Sequence, residues 1–583
     1  MFKGHPKGLY ALALANTGER FGYYTMLAVF ALFLRENFGL AAGTAGAIYS
    51  TFLGLVYFMP LVGGVLADKF GFGKMVTIGI TIMFAGYMLL SFPLGGDTIA
   101  MIAMMAALVL ISLGTGLFKG NLQVMVGNLY DDPKYASKRD SGFSIFYMAI
   151  NVGSLFAPTT AVGIKLWAQN SLGFSSNDAY HFAFAVACVA LILSILIYYV
   201  FRSTFRHVEG GKKKGEAEVI VDNLTPQETK QRVIALCLVF AVVIFFWMAF
   251  HQNGLTLTYF ADEFTATKAV GLQSMVFDVW NLALIIVAVY ASFSIFQSET
   301  AKGKIVSGAL ATAILAFLVY RASGISADTV VSVSAPIFQQ FNPFYVVALT
   351  PVSMAIFGAL AKSGKEPSAP RKIAYGMMVA AVGFAIMAIG SRGLNTPNEQ
   401  ARAIAVNNAE IIAENIYNAA DDAAALKVAE KSKVDFEGKL TDENKEIFNQ
   451  VYDAKFAVLS AADETAAASA TETLNAIKSE TKPETRTSAF WLIFTYLVLT
   501  FAELLLSPMG ISFVSKVAPP KLKGLMMGGW FVATAIGNML VAVGGFLWAG
   551  LPLWSVWTVF IVLCLLSALF MFVMMKRLES VTK

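Results

Sequence analysis

Long apolar runs, each near the thickness of a bilayer, recur along this chain with short polar breaks between them. A spanning helix takes about 20 mostly apolar residues, and about 14 runs meet that length. Six lie before residue 202, at about 8–35, 44–67, 74–93, 98–119, 141–166 and 180–201. A polar stretch ends near Lys230. Further runs follow at about 232–261, 271–297, 304–323, 337–361 and 372–391, and the last three at about 488–515, 524–549 and 552–575.

The polar breaks carry an orientation signal. Lys69 with Lys74, then Lys134, Lys138 and Arg139, then Lys212, Lys213 and Lys214 fall in alternate loops. Lys302 with Lys304, Lys362, Lys365, Arg371 and Lys372, and Lys516, Lys521 and Lys523 continue the alternation. Cationic loops stay cytoplasmic, so both termini are expected inside. That needs an even number of spans, which in turn makes 271–297 and 304–323 two helices.

One long segment breaks the apolar rhythm. Residues 392–487 are rich in Ala, Glu, Asp, Lys and Asn, with apolar positions at helical spacing and an acidic excess. A helical extramembrane insertion is expected there, on the periplasmic or extracellular side. It reads as a spacer or helical hairpin, or else as a recognition element. The expected organisation is a six-helix bundle at 1–201, a cytoplasmic linker at 202–231 and a second bundle at 232–583. The second bundle includes two extra spans at 271–323 and the insertion.

Composition narrows the class. Of 583 residues, 57% are hydrophobic and only 14% charged, too few charges to clothe a soluble exterior. The chain therefore reads as an all-α, multi-pass protein of the lipid bilayer. A formal net charge of +5 offers no case for nucleic acid. Cys188, Cys237 and Cys564 all sit in apolar runs, which predicts helix packing and neither disulfide nor metal site. Residues Met1–Lys7 lack a signal-peptide core, so the first run is expected to stay in the membrane. No nucleophile–base constellation, metal-ligand spacing or cofactor motif appears, so an enzyme finds no support.

Charges inside the apolar runs are the chemical clue. An ionised side chain at the bilayer centre costs roughly 2.5–3.5 kcal/mol on insertion scales, and such residues mark polar pathways. Glu19 and Arg20 lie in the first run and Glu503 in a late one. In NTGERFGYYTM, helical spacing puts Asn16, Glu19, Arg20, Tyr23 and Tyr24 on one stripe. The guanidinium fork of Arg20 suits a carboxylate; the plainer reading is an Arg20–Glu19 pair. Lys119, in LGTGLFKGN, either adds a second positive charge or snorkels to the interface. Asn151 lies in apolar surroundings, and Asn342 precedes Pro343, where it could satisfy a broken helix or bind a ligand. His251 sits deep in its run and could relay a proton or bond across helices. Glu503 and Ser507 are four apart on one face, and Trp530 follows the glycines of GLMMGGWF. One half thus supplies fixed positive charge and the other a carboxylate. A zwitterion with separated ends, such as a peptide with free termini, fits between them.

Several stretches together resemble the proton-dependent oligopeptide transporter family of the major facilitator superfamily. GGVLADKFGFGK at 63–74 is similar to the superfamily loop between helices 2 and 3. ERFGYY at 19–24, FSIFYMAINVGS at 143–154, FNPFYVV, ELLLSPMG and MMGGWF resemble five further family motifs in the expected order. The resemblance implies two six-helix bundles around a central site that works by alternating access. It implies that Arg20 and Lys119 receive a peptide carboxylate and Glu503 the amino terminus. Asn151 and Asn342 would meet the peptide backbone, and Tyr23, Tyr24, Tyr57, Trp247 and Trp530 would line side-chain pockets. Uptake of di- and tripeptides by a monomer in the cell inner (plasma) membrane would be driven by protons.

The chain departs from that pattern at three points. Asn16 stands where the family usually has a glutamate, His251 where it usually has an acid, and Gly120 where proline usually follows the lysine. The resemblance links the first two positions, with Glu19, to proton coupling and gating. Either His251 with Glu19 replaces the usual acid, or coupling is weakened. A same-fold carrier of nitrate or a peptide-like drug, and a non-transporting receptor, are the alternatives. Glu503 would repel an anion and so argues against nitrate.

Overall fold

The computed structural model describes residues 4–210, 224–548 and 550–581. Lys212, Lys213 and Lys214 lie outside the described residues. The first half holds α1 (Lys7–Phe38), α2 (Ala42–Phe70), α3 (Phe72–Leu90), α4 (Thr98–Asn128), α5 (Arg139–Leu172) and α6 (Ala179–Val200). The second begins with α7 (Pro226–Phe250), a tight turn at His251–Gly254 and α8 (Thr256–Phe264). Strand β1 (Lys268–Val270), the single turn α9 (Ser274–Phe277), α10 (Val279–Gln297), α11 (Ala301–Ser323) and β2 (Val330–Ser332) follow. Then come α12 (Phe341–Lys362), α13 (Ala369–Gly390), α14 (Pro397–Asn418), α15 (Ala423–Glu437), α16 (Asp442–Leu459) and α17 (Glu464–Ser479). The chain ends with α18 (Phe490–Val517), α19 (Lys523–Met539), α20 (Ala542–Trp548) and α21 (Leu553–Ser580).

Thirteen helical stretches among the described residues are long and apolar enough to span a bilayer; α1, 32 residues long, has the length but carries the polar stripe. The helix starts follow local chemistry. Asp97 accepts from the Ala100 amide to cap α4, and Thr225 with Glu228 forms a capping box ahead of α7 with Pro226 in the first turn. Helix α4 runs nine residues past the expected end at 119. Asn121 lowers the apolar score there, but its amide nitrogen donates to the carbonyls of Gly63 and Leu117. Lys119 is therefore two turns inside a helix, where snorkelling is closed to it.

Within the first half, α1 packs on α5 and α6, and α4 lies between α2 and α3. Gly63 and Gly116 let α2 and α4 cross backbone to backbone: a Cβ on Gly63 would overlap the Gly116 carbonyl, and one on Gly116 would overlap Met59. In the second half, α13 packs on α18 and α21, and α19 on α7. The halves meet through α2 with α19 and α20, and α5 with α12.

The two extra spans form an antiparallel pair, α10 and α11, closed at its base by β1 and β2 in antiparallel register (Lys268 opposite Ser332). Asp278 caps α10 rather than lying inside a span, and Arg321 of α11 hydrogen-bonds both Asp278 (3.0 Å) and Asn281 (2.5 Å). The Trp280 ring lies tilted against Phe156 of α5, 5.2 Å between centroids, so the pair leans on the seam between halves. Cys188 and Cys564 are buried as expected of packing residues, but Cys237 is exposed on α7.

The insertion carries four helices, α14 to α17, where a hairpin would carry two. They share a small core of Ala405, Val406, Ala409, Ile412, Phe448 and Val451, with Leu474 from α17.

Hydrogen bonds and ion pairs join the halves at mid-depth and at the insertion-bearing end. Arg35 pairs with Glu263, Gln340 accepts from Thr159 (2.9 Å), and Gln339 donates to the Ala28 carbonyl (3.0 Å). That end is sealed.

Candidate functional site

Helix α1 brings the predicted stripe to the seam. Glu19 and Arg20 are 1% and 2% exposed, and Arg20 donates through Nε and Nη2 to the two carboxylate oxygens of Glu19, both at 2.5 Å. The bidentate fork leaves neither charge unpaired in an apolar bundle. The guanidinium also lies over the Tyr23 ring, 4.5 Å from its centroid. Asn16 is buried one turn earlier on the same helix.

Lys119 of α4 is held differently. Among the described residues no carboxylate pairs with it; its ammonium sits 4.4 Å from the centroid of the Tyr57 ring, within electrostatic reach of Arg20 and Glu19. It is the cation with the most unspent capacity in this wall.

Glu503 of α18 faces this group from the other half. Tyr147 of α5 donates to Glu503 Oε1 at 3.4 Å, and Asn342 Nδ2 donates to Glu503 Oε2 at 3.0 Å and to Thr500 Oγ1 at 3.1 Å. Tyr24 and Tyr57 each lie within electrostatic reach of both Arg20 and Glu503. The positive wall and the acid thus share one space. Tyr147, on the first-half side of that space, is 43% exposed.

Tyr147 was not singled out from sequence. The signal was present: it lies one turn before Asn151, on the same face. Asn151 itself donates to the Tyr147 carbonyl at 3.0 Å, which leaves its amide oxygen uncommitted to that bond. Asn342 is brought to Glu503 rather than left to satisfy the helix break at Pro343. Ser507 is half-buried one turn beyond Glu503.

His251 and Trp247 lie together beside Tyr57, and Trp530 is placed apart from them. His251 stacks on Trp247 (5.1 Å between centroids) and lies 5.8 Å from the Tyr57 ring, within electrostatic reach of Lys119. Lys119 and Tyr57 stand between His251 and Glu19. Trp530 is buried near Phe240 and against Gly510, where a Cβ would overlap its indole. Among the described residues no cluster of three or more His, Cys, Asp or Glu could hold a metal ion.

The family model described as "PTR2: POT family" matches residues 73–225, 309–421 and 456–545. The chain belongs to the POT family. Two curated relatives align with much of the chain. It is 32% identical to the "Uncharacterized transporter YclF" of Bacillus subtilis (strain 168), over 66% of this chain and 74% of that one. It is 25% identical to the "Peptide transporter YePEPT" of Yersinia enterocolitica, over 100% of this chain and 97% of that one. A solved "POT family transporter in complex with thioalcohol conjugated peptide" superposes with a TM-score of 0.65 at 18% identity, covering 100% of this chain and 98% of that one. At that identity the likeness establishes the fold, the major facilitator arrangement of two six-helix bundles. This POT chain is a multi-pass membrane protein of a transporter family.

Proposed function

We propose that this chain is a secondary active transporter that imports di- and tripeptides by proton symport, with the two halves rocking in alternating access. The observation that carries the reading is opposite charge presented by opposite halves across one space: Arg20 and Lys119 on the first, Glu503 on the second. A zwitterionic peptide bridges them, its carboxylate at Lys119 and Arg20 and its ammonium at Glu503. Asn342 and Tyr147 hold the Glu503 carboxylate, while the amide oxygens of Asn151 and Asn342 meet peptide backbone. Tyr23, Tyr24, Tyr57, Trp247, Ser507 and Trp530 shape the side-chain space.

Coupling follows from competition. Glu19 occupies the fork that a peptide carboxylate needs, so a proton on Glu19 frees Arg20 for substrate. Asn16 cannot titrate and leaves this task to Glu19, with His251 as the second titratable group on the far side of Lys119. The protein works as a monomer in the plasma membrane with both termini cytoplasmic. That places the insertion and the sealed end outside and gives an inward-facing state. Purified protein in liposomes is expected to take up dialanine, faster under an inward proton gradient. Uptake of nitrate without dialanine would sink this reading, and binding without uptake would favour a receptor.

A further inference from the structure

The insertion is rooted in one half and touches the other. At its base Gln400 donates to the carbonyls of Glu263 (2.8 Å) and Thr485 (2.9 Å), and Arg486 donates to the Thr265 carbonyl (2.7 Å). Thr265 and Thr487 add a backbone bridge. All of these belong to the second half. The far side, from the middle of α15 to the loop after it, rests on the first half. Lys439 Nζ lies 3.3 Å from Glu36 Oε2 near the end of α1, and Lys165 of α5 approaches the same oxygen at 3.6 Å. Lys431 donates to the Gly173 carbonyl and, at 3.1 Å, to that of Phe174. Gly173 is the left-handed cap of α5 (φ 76°), so its carbonyl ends the helix without an intrahelical partner and with the partial negative charge of a helix C-terminus. Asn177, beside these contacts, donates to the Glu36 carbonyl at 3.3 Å and ties the α5–α6 loop to α1. The Glu36 carboxylate raises the Lys439 ammonium above the ordinary lysine range, so the contact keeps its charge at physiological pH.

These contacts span the line along which the halves part. Opening the sealed end moves the ends of α1 and α5 away from α8, and the insertion cannot follow both. Contacts made in one conformation and absent in the other bias the equilibrium by their full differential free energy. Lys431 and Lys439 also fall in residues 422–455, between two segments matched by the POT family model.

We propose that the insertion is a strap across the outer mouth, in which Lys431 and Lys439 tie the first half to the second and favour the outer-closed state. The proposal rests on the alternating-access reading above, but its first test does not need transport. In the full chain carrying Cys237→Ser, spin labels at Leu94→Cys and Trp554→Cys report the width of the outer mouth. Both positions are exposed at that end, and the remaining cysteines are buried. Adding Lys431→Ala and Lys439→Ala is expected to raise the wide-mouth population about tenfold, as for loss of charge-assisted contacts present in one state only. An unchanged distance distribution in the folded variant overturns the strap. A second arm joins Glu36→Cys to Lys439→Cys with a short reducible thiol cross-linker. Dialanine uptake is expected to stop and to return on reduction; full uptake by the cross-linked protein also overturns the strap. A parent protein that moves no dialanine counts against the peptide reading alone, since the distance measurement still decides the strap.

Discussion

Glu503 illustrates how a buried charge is kept ready for use. Its carboxylate accepts from Tyr147 and Asn342, two neutral donors that ease burial without cancelling the charge. Arg20 is the opposite case, closed on Glu19 by two short bonds. Replacing Glu503 by Gln keeps the shape and removes the attraction for an ammonium. Charge-assisted bonds contribute about 1.5–3 kcal/mol, so Glu503→Gln is expected to weaken dialanine about 10- to 150-fold. Competition with radiolabelled dialanine measures this. N-acetyl-dialanine, with no ammonium, should bind the parent and the variant equally; a variant that discriminates against it as the parent does would remove Glu503 as the amine receptor. Tyr147→Phe should cost about tenfold or less, since it removes one neutral donor. The charged residues of this site were legible because lipid rejects charge. Tyr147 was not, because a tyrosine in an apolar run reads as packing until the opposing helix α18 is placed.

At the scale of helices, small residues set how closely the elements approach. The crossing of α2 and α4 at Gly63 and Gly116 leaves no room for a Cβ, and it places Lys119 one turn from the contact with its ammonium over Tyr57. Overpacking commonly costs about 1–3 kcal/mol, and here backbone meets backbone. Gly116→Val is therefore expected to lower the thermal unfolding midpoint in detergent by several degrees, and to weaken binding at Lys119 more than at Glu503. Comparing dialanine with its C-terminal amide checks the second part, because the amide should lose less affinity in the variant. The number of spans, the extra pair and the place of the insertion follow from apolar length and loop charge. The end of α4 did not, because hydropathy counts Asn121 as polar and cannot see the carbonyls of Gly63 and Leu117 that its amide nitrogen reaches. Nor did the four helices of the insertion, whose soluble core is built from scattered alanines and single large residues such as Phe448.

The whole molecule is held at one end by seals that differ in kind. Which end closes was not legible, since loop charge orients helices but says nothing of how two bundles lean on each other. Arg35 and Glu263 form the inner seal. Glu263 is buried and also accepts from Trp548 Nε1 at 3.1 Å, and Arg35 lies over the Tyr259 ring. The proposed strap is more exposed and makes its contacts at the rim. Removing one partner of a buried pair strands the other charge, at about 3–5 kcal/mol, whereas an exposed pair contributes about 1 kcal/mol or less. Opening relieves a stranded Glu263 by wetting it, so Arg35→Ala is expected to widen the mouth far more than Lys431→Ala, by about a hundredfold in population against a few-fold. Arg35→Ala with Glu263→Gln should recover most of the closed population, because the charge that opening would hydrate is gone. Arg35 and Lys431 share no partner, so their combined effect should be the product of the two shifts. The label pair at Leu94 and Trp554 reads every arm. If Glu263→Gln fails to restore closure to Arg35→Ala, stranded charge is not what drives opening, and the inner seal acts through the shape of the Arg35 side chain.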